Sequence, residues 1–124
     1  MKLEIFRTLW GFTASKAQAL DELLTAGFNG IEARLPLQAG ERGEFGAFLR
    51  SNHVPYICTL FSDADVLPDQ SATPARHLAD IDRKLGLASE LSPRFVNLLA
   101  GNDRWPLAVQ VEFFGHAMEL AAKH

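Results

Sequence analysis

The chain has 124 residues, with 12 Lys and Arg against 15 Asp and Glu and a net charge of −3; its pI is near 5.7. That length suffices for one domain with its own core and not for two, and the mixed charge offers no basic surface to nucleic acid or an anionic membrane. Cys58 is the only cysteine, which excludes an internal disulfide and a cysteine-based zinc site and suits a reducing cytoplasm.

At the N-terminus Glu4 and Arg7 break any signal-peptide apolar core. No apolar run approaches the roughly 18 residues of a membrane span. The expectation is a soluble cytoplasmic protein, with no nucleic-acid and no membrane partner. Leu3 to Trp10 is rich in β-formers and ends at Gly11, which predicts a first strand. Ser15 then reads as a helix cap, with Ala17, Leu20, Leu23 and Leu24 at helical spacing and Gly27 at the stop. Gly30 to Leu35, closed by Pro36, is a short second strand. Glu41 to Ser51 is a second helix with Phe45, Phe48 and Leu49 on one stripe.

Val54 to Phe61 is almost continuously apolar, as a strand covered on both faces requires. After a polar loop, Thr73-Pro74 is a capping hydroxyl followed by a first-turn proline. Leu78, Ile81, Leu85 and Ala88 give the third helix its buried face. Arg94 to Leu99 is the fourth strand, and Pro106 opens a last helix with a predicted inner stripe of Val111, Phe114, Ala117, Met118 and Ala121. Strands thus begin near positions 3, 30, 55 and 94, the period of about 30 residues of one βα unit. The expected fold is α/β: four consecutive βα units with parallel strands, half of a (β/α)8 TIM barrel, in one domain over residues 1–124. Such a half leaves two sheet edges unpaired. It must pair with a copy of itself, rearrange to an open sheet, or belong to a longer protein, and the last is the expectation.

In parallel α/β folds the working residues sit at the C-terminal ends of strands and in the following loops. That selects Arg7 and Trp10, Glu32 and Arg34, Phe61 to Asp65, and Asn97 to Trp105. Glu32 is a carboxylate inside an apolar strand, where burial without a partner costs several kcal/mol. It either contacts substrate at the barrel mouth or forms a structural pair with Arg34 or Arg7. Asn97 poses the same choice between an inward polar tip and a satisfied core amide. Asp103 could bind substrate hydroxyls or phosphate, or cap the last helix. Asp63, Asp65 and Asp69 lack the glycine and glutamate of a calcium loop and read as a solvated loop. Gly40, Gly43 and Gly46 do not follow a strand as a phosphate cradle would. His53, His77 and His116 fall on helices or their ends and are expected at the surface, and Cys58 is expected to be packing.

Leu3 to Gly11, the run Ala26-Gly27-Phe28-Asn29-Gly30-Ile31-Glu32-Ala33, Pro93 to Asn97, and Gly101-Asn102-Asp103-Arg104-Trp105 together resemble the xylose-isomerase-like TIM barrels. These are the sugar-phosphate isomerase/epimerase group, related by fold to the endonuclease IV type of DNA-repair enzyme. The resemblance covers the whole chain but only the N-terminal half of the family's length. It implies a divalent-metal enzyme acting on a small polyhydroxy carbonyl compound or sugar, the metal polarising oxygens while a proton or hydride moves between adjacent carbons. The metal ligands and base it implies lie on later strands, outside this half. Glu32 matches the family's strand-two glutamate, and Asn97, Asp103 and Trp105 match its strand-four loop, with Leu99 where many relatives carry histidine. The resulting expectation is a substrate wall formed by Glu32, Asn97, Asp103, Trp105 and Arg7, inactive as an isolated half. The alternative is a non-catalytic half-barrel that assembles with itself, as a homodimer, or with a complementary half. A DNA-repair role finds no basic stripe to support it.

Overall fold

The computed structural model describes residues 3–11, 15–64 and 66–124. Strand and helix alternate through β1 (Phe6–Thr8), α1 (Lys16–Ala26), β2 (Gly30–Arg34), α2 (Ala39–Ser51), β3 (Tyr56–Phe61), α3 (Pro74–Ser89), β4 (Phe95–Leu99) and α4 (Leu107–Lys123). The strands make one parallel sheet in the order β1-β2-β3-β4. This is the expected α/β architecture of half a (β/α)8 barrel.

Local chemistry sets the boundaries. Ser15 accepts from the Gln18 backbone while the Gln18 side chain accepts from the Ser15 backbone, a reciprocal cap that starts α1. Gly27 ends α1 at φ 76°, a conformation that a side chain disfavours. Thr73 caps α3, and Pro74 occupies the first turn, where no backbone donor is needed. β1, β3 and β4 begin later than the sequence suggests, β2 begins at Gly30 as expected, and all four are shorter.

The pleat sorts the strand residues. Ile31, Tyr56, Cys58 and Leu60 turn to the helices and join Leu23, Phe45, Leu49, Ile81, Leu85 and Phe113 in the core. Burying each large apolar side chain stabilises the fold by ~1.5–3 kcal/mol. The alternate residues, which include Glu32, Thr59 and Asn97, lie on the opposite, concave face. In a flat sheet β1 and β4 would stand about 14 Å apart. Here Glu4, just before β1, is ion-paired with Arg94, just before β4. The two side chains bridge the N-terminal opening, and at the other end one groove is lined by residues of all four strands, so that face of the sheet is concave.

Three expectations fail, each for a visible reason. His77 is not at the surface: it is 0% exposed, wedged between α3, the end of β3 and α4. The inner stripe of α4 is Phe113 and Ala117, while Val111 and Met118 are 66% and 74% exposed. That helix is apolar on two sides, and only the side meeting α3 is covered. On α1, Leu24 is likewise 77% exposed. Asp63 is not solvated either, since its side chain is 2% exposed and ion-paired to Arg76 at 2.5 Å; Asp65 lies outside the described residues.

Candidate functional site

The register of three strands builds the site. Arg34 pairs with Thr59, and Thr59 with Asn97, so these residues share one concave row, and Glu32 on β2 has the same side-chain direction. Glu32 Oε1 accepts a hydrogen bond from Thr59 Oγ1 at 3.1 Å and another from Asn97 Nδ2 at 3.0 Å. No described residue donates to Glu32 Oε2. Half of a half-buried carboxylate is thus fixed by two neutral donors, and the other half is left as an acceptor facing the groove.

The groove holds about 540 Å³ and is lined by Thr8 to Gly11, Glu32 to Arg34, Thr59, Phe61, Val66, Asn97 and Leu99. At its rim the Arg34 guanidinium lies 5.3 Å from the Trp10 ring and 5.7 Å from the Phe61 ring. Those rings are themselves 5.7 Å apart. Each cation–π contact contributes ~0.5–1 kcal/mol at an exposed site, enough to hold the guanidinium over the mouth. One wall therefore presents a carboxylate oxygen, an amide, a hydroxyl, a cation and two aromatic faces. That set can accept from and donate to hydroxyls while packing against the C–H faces of a small polar molecule.

Of the residues selected from sequence, Trp10, Glu32, Arg34, Phe61, Asn97 and Leu99 come together in this groove. Arg7 does not join them. It pairs with Ile31, a helix-facing position, and its Nε donates to Glu22 of α1 at 3.0 Å. Trp105 also lies elsewhere, edge-on to His77 at 5.1 Å and to Phe113 at 5.1 Å. Asp103 is exposed in the β4–α4 loop. It does not cap α4, whose cap position is Pro106 with no side-chain bond. Thr59 was missed, although alternation within Tyr56–Phe61 puts it on the less apolar face. His53 and His116 are exposed, and Cys58 is core packing, its thiol pushed up by burial.

Among the described residues no group of three or more His, Cys, Asp or Glu could hold a metal ion. Among the described residues Glu32 is the single carboxylate lining the groove, which the Arg34 guanidinium also lines. A divalent cation needs several oxygen or nitrogen ligands, so these residues alone do not fit one. No described helix is long and apolar enough to cross a membrane.

No protein-family model matches the chain, nor does any curated protein. In fold the chain is similar to the crystal structure of protein SMc04130 from Sinorhizobium meliloti 1021, with a TM-score of 0.67 and 20% identity. The match covers 96% of this chain and 46% of that one. The chain thus spans about half the length of that structure.

Proposed function

We propose that the groove is one wall of the substrate pocket in a sugar isomerase- or epimerase-like (β/α)8 barrel, taking a small polyhydroxy carbonyl compound or sugar. The observation that carries this reading is Glu32, anchored through one oxygen by Thr59 and Asn97 and open through the other. A carboxylate held that way accepts a substrate hydroxyl at a fixed position, with little ordering cost on binding. The place supports the reading too, because the groove opens toward the C-terminal ends of the strands, where such barrels bind substrate. Trp10 and Phe61 offer flat apolar surfaces to the carbon face of a sugar.

This half contributes binding and orientation. The opposite wall, a group to move a proton between adjacent carbons, and the ligands of any divalent metal fall to the other half of the barrel, so the isolated chain is expected to be inactive. The test is titration of the 124-residue chain with pentoses, hexoses and their phosphates, read by the amide NMR shifts of Trp10, Thr59 and Asn97. The expected result is saturable shifts at these residues, lost in Glu32→Ala. Sugars that move none of them, or move them equally in the variant, would refute it.

A further inference from the structure

The loop from β4 to α4, residues 100–106, is tied to the rest of the molecule at few points. Among the described residues it makes two hydrogen bonds beyond itself and α4. The Gly101 N–H donates to Ser62 Oγ at 3.3 Å, and Asn102 Nδ2 donates to the Gln70 carbonyl at 3.1 Å. Trp105 adds its edge-on ring contact with His77. Two of these three ties run through one buried pair, Ser62 and His77, whose Oγ and Nδ1 are 2.6 Å apart. We infer that His77 is a proton-operated latch: neutral, it holds the loop after β4 against β3 and α3, and on taking up a proton it releases that loop while the sheet stays folded. The latch stands whatever the groove binds.

The hydrogen bonds fix the closed state. Ser62 Oγ accepts from Gly101, and among the described residues its own hydrogen has one acceptor, His77 Nδ1. The hydroxyl therefore donates to Nδ1, and the ring carries its hydrogen on Nε2. A second ring proton has only Nδ1 to occupy. Ser62 must then accept from Nδ1 as well as from Gly101, and its own hydrogen loses its acceptor. The charge spreads to Nε2, which has no hydrogen-bond partner. His77 and Ser62 are both buried, so no water meets these groups while the loop is closed, and a buried polar group left unpaired is costly. Opening the loop hydrates them.

No neighbouring charge relieves the closed state. The β3–α3 turn brings Asp63 toward the ring, and α3 itself brings Arg76 and Asp80. Asp63 is ion-paired to Arg76 at 2.5 Å and Asp80 to Lys84 at 2.7 Å, and neither carboxylate bonds to the imidazole. From α4 and the loop the ring meets Phe113 and Trp105, which carry no charge. Burial accordingly lowers the His77 pKa. The closed form binds the proton less well than the open form, so opening grows as pH falls below the ordinary histidine value near ~6.5. The movement is concerted, because the Gly101 backbone seats on the same rings: at φ 89° a Cβ there would lie 3.4 Å from both Trp105 and Phe113.

Hydrogen exchange of the Gly101 amide, followed by NMR at pH 7 and pH 5 and corrected for its intrinsic rate, tests the latch. Linkage caps the change over that range at ~25-fold, and a fall in protection of about 5-fold or more is expected. Ile31 and Leu35, whose amides donate to the Pro55 and Thr59 carbonyls within the sheet, should stay better protected than Gly101 at both pH values. In His77→Phe, Gly101 protection should differ less than about 2-fold between the two pH values. Ser62→Ala should lower it about 10-fold at pH 7.

Gly101 protection that is equal at the two pH values, or that falls as far in His77→Phe as in wild type, overturns the inference. Gly101 protected only as well as Ile31 and Leu35 are, and falling with them, does the same, since the loop would then open only with the sheet. Should His77→Phe fail to fold, Ser62→Ala decides: Gly101 protection matching wild type at pH 7 rejects the latch.

Discussion

Replacing His77 with phenylalanine should give a stability difference between variant and wild type that narrows from neutral to acidic pH. His77 is fully buried and shares a 2.6 Å hydrogen bond through Nδ1 with Ser62 Oγ, which also accepts from the Gly101 backbone. Nε2 has no hydrogen-bond partner, and the ring stands edge-on to Trp105 and Phe113. Burial lowers the imidazole pKa below its ordinary value; Asp63 and Asp80 pull it up and Arg76 pushes it further down. The folded chain therefore binds this proton less well than the unfolded chain, whose histidine titrates near ~6.5. Stability from this group is complete above that pH and is lost as pH falls below it, by at most ~1.4 kcal/mol per pH unit.

At neutral pH His77→Phe forfeits one hydrogen bond, a cost of about 1 kcal/mol, while keeping a ring against Trp105 and Phe113. Below pH 6.5 the wild type alone loses stability, so the gap between it and the variant should narrow. Urea unfolding at a series of pH values, followed by tryptophan fluorescence, measures the difference directly and cancels the carboxylates common to both chains. Two stability profiles that stay parallel down to pH 5 would refute the reasoning.

Four further substitutions test the frame around the groove. Gly30→Ala places a Cβ against the Pro55 carbonyl oxygen and 2.6 Å from the Phe6 ring, so it should cost ~1–3 kcal/mol in urea midpoint and m-value analysis. Lys84→Met removes a buried ammonium that donates to the Phe61 and Ala64 carbonyls and pairs with Asp80 at 2.7 Å. A loss of ~3 kcal/mol is expected. Burial alone would raise the Asp80 carboxyl, but bonds from Lys84 and Arg83 hold it below its usual value, so its NMR titration should move up in the variant. Arg42→Ala deprives Glu90 and the Pro36 and Leu37 carbonyls of a buried donor and should cost about 2 kcal/mol. Arg83→Ala, which removes an exposed guanidinium from an i,i+3 pair with Asp80, should cost below ~1 kcal/mol in the same urea unfolding.

The order of elements was legible because each has a local cause: the Ser15 and Thr73 caps, the Gly27 stop, the apolar run into β3. Glu32 and Asn97 could be selected because a polar residue in an apolar strand must find a partner, and here they found each other. Arg7 could not be placed, since its face depends on which residue of β2 it meets, and that register is a property of two strands. Trp105 was drawn away from the mouth by a larger gain, burial of its indole against His77 and Phe113. His77 did leave a trace: with Ile81, Leu85 and Ala88 it completes a helical stripe, and periodicity should have outweighed its polarity. The apolar residues of α4 cover two faces, so the sequence alone does not say which one α3 takes.

Every strand of this sheet pairs with its immediate predecessor in the chain. Such contacts are short in sequence, which favours rapid folding and lets each unit dock on the one already made as the chain leaves the ribosome. The Glu4–Arg94 pair spans 90 positions, further than the 65 between Glu32 and Asn97. A tie of that span forms last, so its loss should quicken unfolding and leave the folding rate nearly unchanged.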